Sequence, residues 1–241
     1  MKIKPAQRMP VLVSVFALVF SLASCSDFFS TPLFPGAARD PSRLIPPVTV
    51  NNVDDLILKS ENNPALALAV LQKIQAALKG LSEDEARRLQ VAALKAAANA
   101  VAIGPSLFNS LGGMPTSLKQ GQMRDLLADA LKGIPNLPET GAALVAVIPD
   151  PEGDKGNFDA FTKSAKTDDL VFASLTLVAA EVKENGSNLK DYIASFNASD
   201  QLPPQADLAV RIAQAAAKKI QIDGEALTIP LHDILRELNL I

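Results

Sequence analysis

Residues Asn63 to Ile103 read NPALALAVLQKIQAALKGLSEDEARRLQVAALKAAANAVAI, and this stretch decides the fold class. Asn63-Pro64 joins an N-cap residue to a proline in the first helical turn, where the missing N–H has no partner to lose. Val70, Ile74 and Leu78 follow at i, i+4 spacing, and Gly80 closes the helix. Ser82 and Glu85 stand at the spacing of a capping box, which opens a second helix through Leu89, Ala93, Ala96, Ala97 and Ala100. That helix is predicted to reach Ile103, where Gly104-Pro105 breaks it. Two helices joined by a short Gly-containing loop form a helical hairpin. Alanine side chains allow neighbours to approach closely, so the second helix is expected at the centre of the packing.

The same reading extends in both directions. A short helix is predicted from Val53 to Ser60. Leu118 to Lys132 carries Met123, Leu127 and Leu131 on one face, with Gly133 as its stop. Gly141 to Ile148 is an apolar run whose period does not separate helix from strand. Pro149 to Gly156 reads as a surface loop. A strong helix starts at Thr167 or Asp168, carries Val171, Leu175, Val178 and Val182, and ends at Asn185-Gly186. Ser187 caps a successor to about Asn197. After Leu202-Pro203-Pro204, a stripe of Leu208, Ile212, Ala216 and Ile220 marks another helix, and Leu231 to Leu240 marks the last. Of 241 residues, 37 are Ala and 33 Leu, both strong helix formers. The expected fold is all-α, a helical bundle or an irregular solenoid of hairpins with about eight or nine helices.

The N-terminus carries a different message. Lys2, Lys4 and Arg8 precede an apolar run from Val11 to Phe20, which leads to small residues before Cys25, the single cysteine of the chain. This is the three-part plan of an export signal, and the run is about half of the roughly 20 residues a membrane span needs. Leu22-Ala23-Ser24-Cys25 resembles the lipobox of bacterial lipoproteins, Leu-(Ala/Ser/Thr)-(Gly/Ala/Ser)-Cys. The resemblance implies cleavage before Cys25 by signal peptidase II, diacylglycerol on the Cys25 thiol, and a fatty acyl group such as palmitate on the freed amine. It also implies a place in the cell envelope. Ser26, rather than Asp, directly after the cysteine leans toward the periplasmic face of the outer membrane under the sorting rule of many Gram-negative lipoproteins.

Three segments follow: a signal peptide over 1–24, a lipidated and Pro-rich tether over 25–51, and a helical domain over 52–241. The tether holds Pro32, Pro35, Pro41, Pro46 and Pro47, and where such a chain is polyproline-like it extends about 3.1 Å per residue. Phe28, Phe29, Leu33 and Phe34 within it suit either the lipid interface or the domain surface. Removing residues 1–24 takes the formal net charge from −3 to −6, since Lys2, Lys4 and Arg8 go and no acidic residue goes with them. An acidic domain argues against nucleic acid and against docking on anionic head groups. Anchor, tether and stacked hairpins together resemble the layout of the tetratricopeptide-like lipoproteins associated with TRAP transporters. The likeness is confined to layout: the Trp, Leu-Gly and Tyr consensus and the period of about 34 residues are absent, so no site residue is carried over.

Motifs of chemistry are sparse. One His and one Cys exclude an intrachain disulfide and metal sites built on several such ligands. His232 adjoins Asp233, but neighbours on a helix point about 100° apart and do not form an acid–base pair. Ser187-Asn188-Leu189-Lys190 fits S-x-x-K, yet Ser199-Asp200-Gln201 and Lys166-Thr167-Asp168 are not the S-D-N and K-T-G that should accompany it, and Ser187 reads as an N-cap. Asp150, Glu152 and Asp154 alternate as in a calcium loop, but Lys155 and Phe161 stand where an EF-hand needs Gly and Glu. Asp54-Asp55 and Asp168-Asp169 suit helix starts. Asn185 and Asn197 begin glycosylation sequons, which a bacterial lipoprotein rarely has modified. No catalytic residue, metal ligand or cofactor is expected.

The function expected from these residues is a membrane-anchored, non-enzymatic interaction or scaffold module with a protein partner in the envelope. The alternative is a carrier or receptor for an apolar small molecule, in a cavity between the helices that hold Phe108, Phe161 and Phe172. An apolar cavity of at least about 300 Å³ would mark it.

Overall fold

A computed structural model of the protein describes residues 45–102, 136–186 and 202–223, together with Arg43, Gly133, Ile134 and Tyr192. The chain divides into two units, Met1–Asp40 and Pro41–Ile241, and everything described here belongs to the second. Cys25 and the rest of the lipobox, the Leu118–Lys132 and Leu231–Leu240 helices, Phe108, Ser187 and its Lys190, Asn197 and His232 all lie outside the described residues.

The described residues form seven helices and no strand: α1 Val53–Ser60, α2 Pro64–Ala77, α3 Glu83–Val101, α4 Leu137–Val147, α5 Lys155–Ser164, α6 Thr167–Glu184 and α7 Pro204–Asp223. The chain is therefore all-α there. No helix among the described residues is long and apolar enough to cross a membrane.

The hairpin predicted from Asn63 onward is α2 and α3. Asn63 Oδ1 accepts the Leu66 N–H at 3.0 Å, with Pro64 in the first turn, and Gly80 takes the left-handed conformation, φ +81°, in the turn between the helices. At the start of α3 the backbone N–H and hydroxyl of Ser82 both donate to Glu85 Oε2, at 3.2 and 2.6 Å. These two bonds hold the Glu85 carboxyl below its usual range. The helix stops earlier than predicted, because Ala102 turns left-handed at φ +46° and caps α3. Gly104-Pro105 is not needed to end it.

Helix α3 is central, as its alanines predict. Ala93, Ala96, Ala97 and Ala100 are fully buried, and α3 packs against α1, α2, α4, α5 and α6. Helix α6 forms the second axis and packs on α3, α4 and α7. One buried link joins α6 to α7: the Ser174 hydroxyl donates to the Ala209 carbonyl at 2.8 Å. The core also takes in Ile45 and Val48, apolar residues of the Pro-rich stretch, and the Asn52 amide holds them there through the Pro47 carbonyl at 2.9 Å.

The undecided run at Gly141–Ile148 belongs to helix α4, which begins at Leu137. Its glycine is a contact point with α6 and α7. A Cβ on Gly141 would lie 2.5 Å from Ala180 Cβ in α6 and 3.0 Å from the Gln205 amide nitrogen, which itself donates to the Leu177 carbonyl at 3.0 Å. Gly141→Ala should therefore destabilise the domain by about 1–3 kcal/mol through overpacking, against a gain of about 1 kcal/mol in helix propensity. A urea midpoint at or above that of the parent would show that α4 and α6 are not in contact there.

Candidate functional site

Helix α5 occupies the stretch that begins inside the predicted Pro149–Gly156 loop. The loop is shorter than expected because Asp154 caps a helix: its Oδ1 accepts the Asn157 N–H at 3.4 Å and its Oδ2 accepts the Asn157 amide at 2.8 Å. Phe158, Phe161 and Thr162 then fall on one buried face of α5. The adjoining side carries Lys155, Asp159 and Lys163, all exposed.

This exposed side faces the C-terminal half of α7. Between them runs an open groove of about 580 Å³, completed by Pro151 at one end. Five cationic side chains border it: Lys155 and Lys163 from α5, and Arg211, Lys218 and Lys219 from α7. Asp159 is the single anion of its lining, and Phe158 and Ala215 supply an apolar floor.

Two of the five cations are committed to structure. Lys219 Nζ donates to the carbonyls of Ala165 and Lys163, at 2.5 and 3.1 Å, and lies 3.5 Å from that of Thr162. It thus satisfies carbonyls that the end of α5 leaves without helical partners, at the negative end of the helix dipole. Arg211 donates through Nε to Asp207 at 2.7 Å and through Nη2 to Glu152 at 2.6 Å. Its guanidinium is held still more basic than usual, chiefly by Asp207. No ion pair among the described residues uses Lys155, Lys163 or Lys218.

The acidic loop is accounted for by the same geometry. Asp150 Oδ1 accepts the Glu152 N–H at 2.9 Å, and backbone donors from Glu152 and Gly153 keep its carboxyl below the usual range. Glu152 turns to Arg211 and Asp154 caps α5. The three carboxylates so point to three separate tasks, and among the described residues no three His, Cys, Asp or Glu side chains converge as metal ligands would.

The other singled-out residues are dispersed. Asp54 and Asp55 lie in the first turn of α1, where Lys59 Nζ meets Asp55 at 2.7 Å. Phe161 is fully buried in the core and Phe172 is partly buried against it. Asn185 ends α6. A second hollow of about 410 Å³ is bordered by Asp84, Arg87, Arg88, Val91 and Ser164, and there Arg87 already pairs with Asp84 at 2.9 Å.

Asp168 and Asp169 start α6 as predicted, but Asp169 is unusual. Its Oδ2 is buried without a hydrogen-bond partner, and desolvation raises its carboxyl above the usual range despite the opposing pull of Lys95 and Lys166. An acid whose folded pKa is raised penalises the fold when ionised, and the penalty vanishes as pH falls below the unfolded pKa. Asp169→Asn should therefore be more stable than the parent at neutral pH. The gap should close as pH is lowered through the carboxylate range, as thermal melts at several pH values would show.

Sequence reasoning missed the groove because it passed over α5. The signal was present: Lys155, Asp159 and Lys163 recur every four residues, and Arg211, Ala215, Lys218 and Lys219 fall at helical spacing in α7. No family model matches the chain, and no curated protein or solved structure is significantly similar to it.

Proposed function

We propose that the chain is a lipid-anchored protein of the bacterial cell envelope whose helical domain is a non-enzymatic interaction module. The observation that carries the module reading is the groove between α5 and α7, open to solvent and bordered by five cations on a mature chain of net charge −6. A charge concentration opposite in sign to the whole is the electrostatic pattern of a recognition surface. The anchor reading rests on Leu22-Ala23-Ser24-Cys25, in register with the basic and apolar segments before it. Diacylglycerol and an amide-linked acyl group on Cys25 would fix the domain to a membrane, the periplasmic face of the outer membrane being the preferred site. The Pro-rich stretch would set its reach. On this reading the helices predicted at Leu118–Lys132, from Ser187 to about Asn197 and at Leu231–Leu240 join the seven described, passing the expected eight or nine because α5 begins inside a predicted loop, and the whole is arranged as a bundle or an irregular solenoid.

Native mass spectrometry of the full-length lipoprotein, extracted from its host in mild detergent, tests the module. A co-extracted protein in defined stoichiometry is the expected result. A monomer that carries a small molecule beyond the Cys25 acylation, with no protein partner, would replace this reading with the apolar carrier.

A further inference from the structure

We propose that the groove between α5 and α7 docks an acidic, extended peptide segment of a partner protein, with carboxylates alternating with apolar side chains. The inference rests on the interaction-module reading and names the chemistry of its partner.

Charge complementarity sets the sign. Five cations and one anion line the groove; Asp207 and Glu152 offset Arg211, and the positive balance rests on Lys155, Lys163 and Lys218, which enter no ion pair among the described residues and are exposed. The distribution of charge selects a linear ligand over a compact one. Lys155 and Lys163 are eight positions apart on α5, about 12 Å along the helix axis at 1.5 Å per residue, and Arg211 and Lys219 are separated equally on α7. A single phosphate would be met by converging donors, an arginine fork or a free helix N-terminus. Here the one arginine is divided between Asp207 and Glu152, and the N-terminus of α5 is filled by the Asp154 carboxylate. Strung along about 12 Å, the lysines match about four residues of extended chain at roughly 3.3 Å each. The floor then argues for a peptide over a bare polyanion. Ala215, the edge of the largely buried Phe158 and the methylene stems of the lysines offer apolar surface between the charged groups, which alternate apolar side chains of a peptide would cover.

The test uses the full-length protein in detergent and a fluorescein-labelled peptide of alternating glutamate and leucine, followed by fluorescence anisotropy, with the lysine–leucine peptide as control. The acidic peptide should bind, the basic one should not, and rising salt should weaken the complex. The triple variant Lys155→Glu, Lys163→Glu, Lys218→Glu should bind at least about tenfold more weakly, while Lys→Gln at the same positions should fall between. Circular dichroism melts keep the result readable, since all three positions are exposed and the melting curve should hardly move. Equal binding by parent and triple variant, or no binding to the acidic peptide, overturns the proposal. So does loss, in the variant, of binding to vesicles of equal parts phosphatidylglycerol and phosphatidylcholine when the peptide does not bind: the groove would then read lipid head groups. The module reading fails separately. If a partner protein co-extracts equally with parent and triple variant, the module stands and this groove is not its docking site.

Discussion

Phe161→Ala is expected to destabilise the helical domain by about 3–5 kcal/mol, the usual cost of removing a fully buried phenylalanine. Phe161 has no exposed surface and is among the largest fully buried side chains. It projects from α5, a helix of 10 residues too short to be stable without its packing. Phe158 lies beside it, with ring centroids 6.4 Å apart and planes inclined at 47°. The neighbours of the lost ring belong to longer helices fixed by other contacts, since α5 packs on α3 and α7 while these also hold α2 and α6. The cavity has little means to collapse, which puts the cost in the upper part of the range. For a domain of this size each kcal/mol lowers the melting temperature by about 2–4 °C, so a fall of about 6–20 °C is expected. Phe161→Leu keeps most of the volume and should cost less than about 1.5 kcal/mol. Equal melting temperatures for parent and Phe161→Ala would mean that this face of α5 is not in the core.

The same helix shows why part of the fold was legible and part was not. The hairpin of α2 and α3 announces itself through local chemistry, because Asn63, Pro64, Gly80, Ser82 and Glu85 each do at their own position what their side chains favour in isolation. Helix α6 is as plain from Thr167 to Asn185. Helix α4 is obscured because its exposed face is apolar too. Leu137, Thr140, Gly141, Leu144 and Val147 are buried at helical spacing, but Ala142, Val145 and Ala146 on the other face are exposed, so the apolar pattern loses its period. Helix α5 is hidden by Gly153, Gly156 and three alternating acids, among which the capping role of Asp154 does not stand out until Asn157 is seen to donate to it. The groove is lost for another reason. Net charge is a sum, and a sum of −3 conceals five cations that α5 and α7 bring together from positions 48 to 64 residues apart in the sequence.

On the proposed anchor, Cys25→Ser should abolish metabolic labelling by fatty acid, leave residues 1–24 uncleaved because the cleavage follows the lipid transfer, and loosen the protein's partition into the membrane fraction. Each buried methylene contributes about 0.8 kcal/mol, and while one acyl chain gives marginal attachment, two or three make it effectively lasting. Serine offers no thiol for the diacylglycerol transfer, and without that lipid the later acylation of the amine has no substrate. The protein surface as a whole gives no substitute, since the chain is acidic even with its leader, at net charge −3, and is repelled by anionic head groups. The groove is the exception, and it makes the partition experiment more informative. If part of the Cys25→Ser protein stays on the membrane, a salt wash separates two causes. Attachment through Lys155, Lys163 and Lys218 would be screened within a Debye length of about 3 Å at molar salt, whereas apolar insertion, as by the retained Val11–Phe20 run or by Phe28, Phe29 and Phe34, would persist. Equal fatty-acid label on parent and Cys25→Ser would overturn the anchor itself. The envelope location would fall with it, while the packing of α3 and α6 and the charge of the groove would stand unchanged.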